Sequence, residues 1–241
     1  MVEKDSHSEL WLSPRKLYAG LKPGEAFATL THTGIPSIFL KKVLRSPEKM
    51  TALEVGPHLV PTALDLPFRR TVLLDISDSS LPALRETLTH KHPGRKISYV
   101  AGDVLKMPFK GKFDVGIMNG VLGHLPADKH EIAVNNLLSR VKHAFISDRT
   151  LVQQEGHVPV DLEGISRKLK VAGFSVFLSK PIATTNEGKK PNTLELVPEW
   201  VGKKKALKSG VETYRFMFVS RQKGYRNAAK PAIKKPNPRR S

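Results

Sequence analysis

The sequence predicts an α/β domain, a mostly parallel sheet with helices on both faces, and three observations predict it. Seven short β-rich runs recur from Thr51 onward, at Ala52 to Val55, Thr71 to Ile76, Ile97 to Val100, Phe113 to Met118, Ala144 to Ser147, Phe174 to Leu178 and Tyr214 to Val219. Stretches with helical spacing of apolar residues lie between them, and strands alternating with helices argue a parallel sheet buried on both sides. Polar residues or glycine follow the first four strands, at the carboxyl ends where such sheets bind ligands.

In chain order, residues 1 to 50 mix Trp11, Tyr18 and Phe27 with Pro and Gly punctuation. Phe39, Leu40, Val43 and Leu44 then make a brief helical apolar face that Ser46-Pro47 breaks. This segment is expected to cap a core domain spanning 51–220. Ser80-Leu81-Pro82 opens a helix with a cap residue and an early proline, after which Leu81, Leu84 and Leu88 recur at helical spacing. Asp128 and Glu131 make a capping-box-like start, followed by Val134, Leu137, Leu138 and Val141 at i, i+3, i+4 and i+7. Ile165, Leu169 and Ala172 mark a third helix, closed by Gly173 in the C-terminal capping position. No apolar run approaches the roughly eighteen residues that span a membrane. The N-terminus has the look of neither a signal nor a transit peptide, so an intracellular location is expected.

Forty Lys+Arg against twenty-two Asp+Glu give a formal net charge of +18. From Lys189 to Ser241, fifteen Lys or Arg face three Glu, so this stretch carries +12 of the +18. The last segment, RQKGYRNAAKPAIKKPNPRRS (221–241), has eight basic residues, three prolines and no acid. It is expected to be a disordered tail attracted to a polyanion. RNA or an RNA–protein assembly is the expected partner, met by Lys203, Lys204, Lys205, Arg221, Lys223, Arg226, Lys234, Lys235, Arg239 and Arg240. The competing reading is a solubilising tail, or affinity for an acidic protein or membrane surface. The absence of cysteine excludes disulfides, thiolate zinc sites and cysteine nucleophiles. His90 and His92 flank Lys91 without a carboxylate pattern, and no metal site is expected.

The stretch TALEVGPHLVPTALDLPFRRTVLLDIS, Thr51 to Ser77, offers only Gly56 where a dinucleotide turn needs G-x-G-x-x-G. Such a turn is poor for phosphate, so either it holds a phosphate-free cofactor or it binds none. A nicotinamide-dependent oxidoreductase is disfavoured, because a pyrophosphate would lose its cradle. Asp75, about twenty residues beyond the glycine turn, is placed to accept hydrogen bonds from both ribose hydroxyls. Asp103 follows the third strand and Asn119 the fourth. Singly, an Asp at a strand end is more often a cap or turn former; the ordered set is more specific.

In these residues the chain resembles the class I, Rossmann-like, S-adenosylmethionine-dependent methyltransferases, over roughly Leu53 to Val219. LEVGP is similar to their first motif, LLDIS to the acidic ribose-binding motif, GDVLKMPF to the adenine-contacting segment, and FDVGIMNGVLGHLP to the fourth-strand motif. KVAGFSVFLS and TYRFMFVS are similar to the closing helix and final two strands. Where the family pattern has further glycines, this chain has His58 and Val60. The resemblance implies a seven-stranded sheet whose last strand is antiparallel, and S-adenosylmethionine as cofactor. It implies that Glu54 and Gly56 line the methionine side, where His58 either contacts the methionine carboxylate or intrudes on it, that Asp75 with Ile76 holds the ribose, that Asp103 and Val104 meet the adenine, and that Asn119 faces the sulfonium.

Methyl transfer from a sulfonium is an in-line displacement that alignment alone can accelerate, so a dedicated base is optional. His124 is the candidate base, since the loop after the fourth strand reaches the reacting end. The first histidine of the family's frequent His-His-Leu-Pro is Gly123 here. Asn119 is followed by Gly120-Val121-Leu122 rather than a Pro-Pro pair, which disfavours base-amine methylation. The expected function is methyl transfer acting on or near RNA. Two alternatives stay open: a catalytically inactive RNA-binding or assembly module on the same fold, and a small-molecule methyltransferase with an incidental basic tail.

Overall fold

The computed structural model describes residues 34–57, 61–77, 92–151, 158–179, 182–184 and 212–221, together with residues 82, 85, 86, 88 and 90. Eight strands form one sheet: β1 (Thr51–Val55), β2 (Arg70–Asp75), β3 (Ile97–Ala101), β4 (Phe113–Asn119), β5 (Val141–Leu151), β6 (Phe174–Leu178), β7 (Ile182–Thr184) and β8 (Glu212–Arg221). The order is β3-β2-β1-β4-β5-β8-β6, with β7 pairing β8. β1 to β5 pair in parallel, and β8 runs antiparallel to β5, β6 and β7. The seven-stranded, mostly parallel, Rossmann-like sheet is therefore present, and β7 is an addition. It pairs along β8 on the same side as β6.

Period-two alternation divides the core into two layers. Leu53, Val55, Leu74, Met118, Ala144 and Ile146 face α2 (His130–Arg140) and α3 (Leu162–Val171), meeting Ala133, Leu137, Ile165 and Leu169. Ala52, Val115, Ile117, Phe145 and Phe216 face the other side with Leu40 and Leu44, from α1 (Gly34–Val43) and the residue after it. Phe39 of α1 lies within 4.9 Å of Phe216 and 5.6 Å of Phe177, ring centre to ring centre. Val43, assigned by spacing to the same apolar face, is instead 41% exposed.

Helix ends correct two sequence expectations. Val141 continues the periodicity of α2 but is the first residue of β5, with an extended backbone. A β-branched residue fits that pleated, buried position better than a helix end. Asp128 does not open a capping box: it sits in the 3₁₀ turn Ala127–Lys129 and pairs with Lys129 at 2.7 Å, while Glu131 pairs with Lys168 of α3. The third helix follows expectation, capped by Asp161, whose Oδ1 accepts from Gly164 N at 2.8 Å, and left through Gly173 at φ 82°. Residues 82, 85, 86, 88 and 90 are helical; Leu81 and Leu84 lie outside the described residues. Among the described residues no helix is long and apolar enough to cross a membrane.

α2 packs closely on β4 at Gly116, where an added Cβ would come within 2.8 Å of both Leu137 Cδ1 and Val141 Cγ1. Gly116→Val is expected to cost about 1–3 kcal/mol by overpacking, read as a lower urea midpoint at unchanged slope. An unchanged midpoint would show that this contact is not tight.

Candidate functional site

Strand order reverses between β1 and β4, so the crevice at the carboxyl ends of these two strands is where an open α/β sheet takes its ligand. Pairing places Asp75 beside Ala101 and Asn119 beside Ser147. Val55 pairs with both Leu74 and Met118, so the next residue, Gly56, falls between Asp75 and Asn119. Ala101, Asp75, Gly56, Asn119 and Ser147 thus form one row across five strands. Three of the residues picked from sequence lie side by side on it.

Glu54, the residue two before Gly56, is held by the chain that follows β1. It is only 3% exposed, and its two carboxylate oxygens accept from Thr62 N at 2.8 Å and Ala63 N at 2.7 Å. These donors open the 3₁₀ turn Thr62–Asp65, so Glu54 caps the chain returning from β1. Burial raises its pKa to about 8, against the two backbone hydrogen bonds that favour the charged form.

On the other side of Gly56 the residues suit a nucleoside. Asp75 is half-buried and its Oδ1 accepts from Ser77 N at 2.9 Å, which turns the chain sharply at the strand end. A carboxylate accepts up to about four hydrogen bonds, so this turn is compatible with holding a ribose diol. Ile76 beside it is 56% exposed, an apolar surface at the rim of a polar crevice that suits a base. Asp103 caps the 3₁₀ turn Val104–Lys106 through Leu105 N at 2.8 Å. Val104 is buried in the core, and its carbonyl accepts from Asn136 Nδ2 at 3.0 Å.

The β4 side is more crowded. Gly56 has φ 60°, and a Cβ there would lie 2.6 Å from Val121 Cγ2, so a glycine is required both by conformation and by this contact. Val121, in the loop after β4, therefore lies across the β1–β4 crevice. Asn119 Oδ1 accepts from Ser147 Oγ at 2.7 Å. The fully buried Asp148 accepts from Gly123 N at 2.9 Å, and Gly123 O accepts from Val158 N at 2.8 Å. These bonds fix the 3₁₀ turn Leu122–His124 that carries half-buried His124. Val121, Ser147 and Asp148 were not singled out from sequence. Asp148, though inside β5, directly follows the β-rich run Ala144 to Ser147, so the rule that selected Asp75 could have found it.

His58 lies outside the described residues, as do Lys203, Lys204, Lys205, Lys223, Arg226, Lys234, Lys235, Arg239 and Arg240. Arg221 is described: it is exposed, and its Nη2 donates to Leu138 O at 3.0 Å. Among the described residues no group of three or more His, Asp or Glu is disposed to hold a metal.

The family model described as a methyltransferase domain matches residues 54–144. No curated protein sequence matches the chain. Among solved structures, the chain is similar to magnesium protoporphyrin IX methyltransferase from Synechocystis PCC 6803 with bound SAM, at TM-score 0.62 and 14% identity, covering 92% of this chain and 100% of that one. It is also similar to a putative RNA methyltransferase, PH1948, from Pyrococcus horikoshii, at TM-score 0.51 and 16% identity, covering 83% and 86%. The [4+2]-cyclase SpnF matches at TM-score 0.56 and 11% identity, covering 78% and 80%. At these identities the likeness is one of fold, and the fold carries more than one chemistry.

Glu54 makes stability depend on pH. The unfolded chain releases this proton near 4.5 and the folded chain near 8, so its contribution is complete below 4.5 and is lost as pH rises to 8. The loss amounts to about 5 kcal/mol if complete. Glu54→Gln, which cannot ionise, is expected to flatten the urea-midpoint profile between pH 5 and 8 (roughly the window set by the two pKa values). Equal slopes in the two proteins would refute a protonated Glu54.

Proposed function

From a chain that has the class I S-adenosylmethionine-dependent methyltransferase fold, with residues 54–144 matching a methyltransferase domain, we propose that the β1–β4 crevice binds S-adenosylmethionine and directs methyl transfer to an acceptor on or near RNA. The observation that carries the cofactor half is the row of Asp75, Gly56 and Asn119 at the switch point, with exposed Ile76 beside Asp75. Asp75 would hold the ribose, Ile76 and Asp103 the base, and Asn119, kept in place by Ser147, the end next to Val121. The cofactor, when bound, supplies a methyl group already activated by its sulfonium. The protein's contribution is alignment: Asp148 and Val158 immobilise Gly123, so the neighbouring His124 is held at a fixed place beside the crevice. His124 would take a proton only from an acceptor that carries one.

A second reading has its own observation. Val121 lies against Gly56 in the crevice, and Glu54 is taken up by the turn. Both features suit an assembly module that retains the scaffold without transfer. The RNA half of the proposal is supported by sequence charge, seven Lys or Arg and no acid after Arg221.

Calorimetric titration with S-adenosylmethionine and its demethylated product separates the readings. The expected outcome is saturable binding that Asp75→Ala weakens by about ten- to a hundredfold, the cost of losing hydrogen bonds to a charged group. No heat at millimolar ligand favours the assembly module, and heat regained in Val121→Ala would then locate the closure at that side chain. For the tail, the full chain with those seven cations changed to Gln is expected to bind single-stranded RNA more weakly, its log–log salt slope shallower by up to about five. An unchanged slope would leave the tail with no role in RNA binding.

A further inference from the structure

The two ends of the parallel sheet differ in charge. Extending the pairing by one residue toward the amino ends of the strands sets Lys96, Arg70, Thr51, Asp114, Lys142 and Arg221 in one row across β3, β2, β1, β4, β5 and β8. Asp114 is the single carboxylate against four cations. Its Oδ2 accepts from Thr51 N and Oγ1, and its Oδ1 from Lys142 Nζ at 2.7 Å, so it offsets Lys142 alone. Exposed Arg69 adds to the Lys96–Arg70 side. The row at the opposite, carboxyl ends contains no Lys or Arg.

Part of this charge has a structural use. Lys112 Nζ donates to Ser139 O and Arg221 Nη2 to Leu138 O, so both cations serve the last carbonyls of α2. That use does not reach Lys96, Arg69 or Arg70. Arg70 makes one long contact of 3.5 Å to Ser98 Oγ, and all three side chains are exposed on the β2–β3 side.

We propose that this amino-end row is an RNA-docking edge, contacting the sugar–phosphate backbone of a single strand. Strands lie about 4.8 Å apart, so the six positions span about 24 Å, enough for several successive phosphates. Large exposed apolar side chains occur at Val43, Ile76, Ile132, Val171 and Phe177, and none lies on the row. A protein partner or a membrane would want such anchors, whereas a phosphate backbone needs only cations. In sequence, seven more Lys or Arg follow Arg221. Along β4 the edge row at Asp114 and the crevice row at Asn119 are five residues apart, about 17 Å, so the edge anchors RNA without presenting the reacting atom.

This deepens the RNA half of the proposed function and rests on that reading for the choice of RNA. The test uses the full chain carrying Arg69→Gln, Arg70→Gln and Lys96→Gln, with Lys96→Gln alone as a second variant. Binding of a labelled single-stranded RNA and of single-stranded DNA of the same sequence is followed by fluorescence anisotropy over a range of salt. The triple variant is expected to lose about tenfold or more in RNA affinity at physiological salt, with a log–log slope shallower by about 2, and the single variant by about 0.7. Its melting temperature and its affinity for S-adenosylmethionine are expected to stay unchanged. Wild-type affinity and slope in both variants overturn the docking edge; if neutralising the tail still weakens RNA binding, the broader RNA reading survives. Tighter binding of DNA than RNA overturns the choice of RNA. No RNA binding by the wild-type chain at low salt overturns both.

Discussion

A buried carboxylate in the central strand governs how the chain leaves β1. The chain returns toward the sheet through a 3₁₀ turn four residues long, Thr62–Asp65. Glu54 supplies what the turn lacks by accepting from its first two N–H groups, and Thr62, Ala63 and Leu64 are thereby set into the core. Burying an acid there is costly, and the carboxyl answers by keeping its proton to about pH 8. A structural role for the acid of the first motif follows, and with it a crevice whose polar groups come from β2, β4 and β5.

That crevice is assembled by register. Asp75, Gly56, Asn119 and Ser147 are far apart in sequence, and parallel pairing alone makes them neighbours. Asp148 then ties the loop after β4 to the end of β5 through the Gly123 N–H. The loop is braced from below, and its outer residues, Val121 and His124, are held at the mouth. Val121 packs against Gly56 on the β1–β4 side of the row, and exposed Ile76 stands beside Asp75 on the β2 side.

The sheet is also polarised along its strands. Its carboxyl ends carry acids and amides taken up in turns and caps, and its amino ends carry cations, two of which serve the exposed carbonyls of α2. A charge of +18 could have been spread evenly over the surface. Parallel pairing instead gathers part of it on one edge, because strand starts that are remote in sequence become adjacent.

Alternation of apolar runs was enough to locate every long strand, because a parallel sheet buried on both faces requires nearly continuous apolar residues such as ALEV and VGIM. Helical spacing was a weaker guide at ends: Val141 keeps the period of α2 yet starts β5, and Asp128 has the residues of a capping box without its bonds. Local pattern cannot say where a helix stops when the next residue is equally apolar. By itself the sequence determined the strand–helix alternation, the polar residue at each strand end and the basic tail, since these are properties of short windows and of composition. Tertiary structure alone decided that Glu54 caps a turn, that Val121 lies on Gly56, that Asp148 braces the loop and that Lys96, Arg70, Lys142 and Arg221 share an edge. Each of those depends on distances between strands, and distance across a sheet is set by pairing register, which no single segment contains.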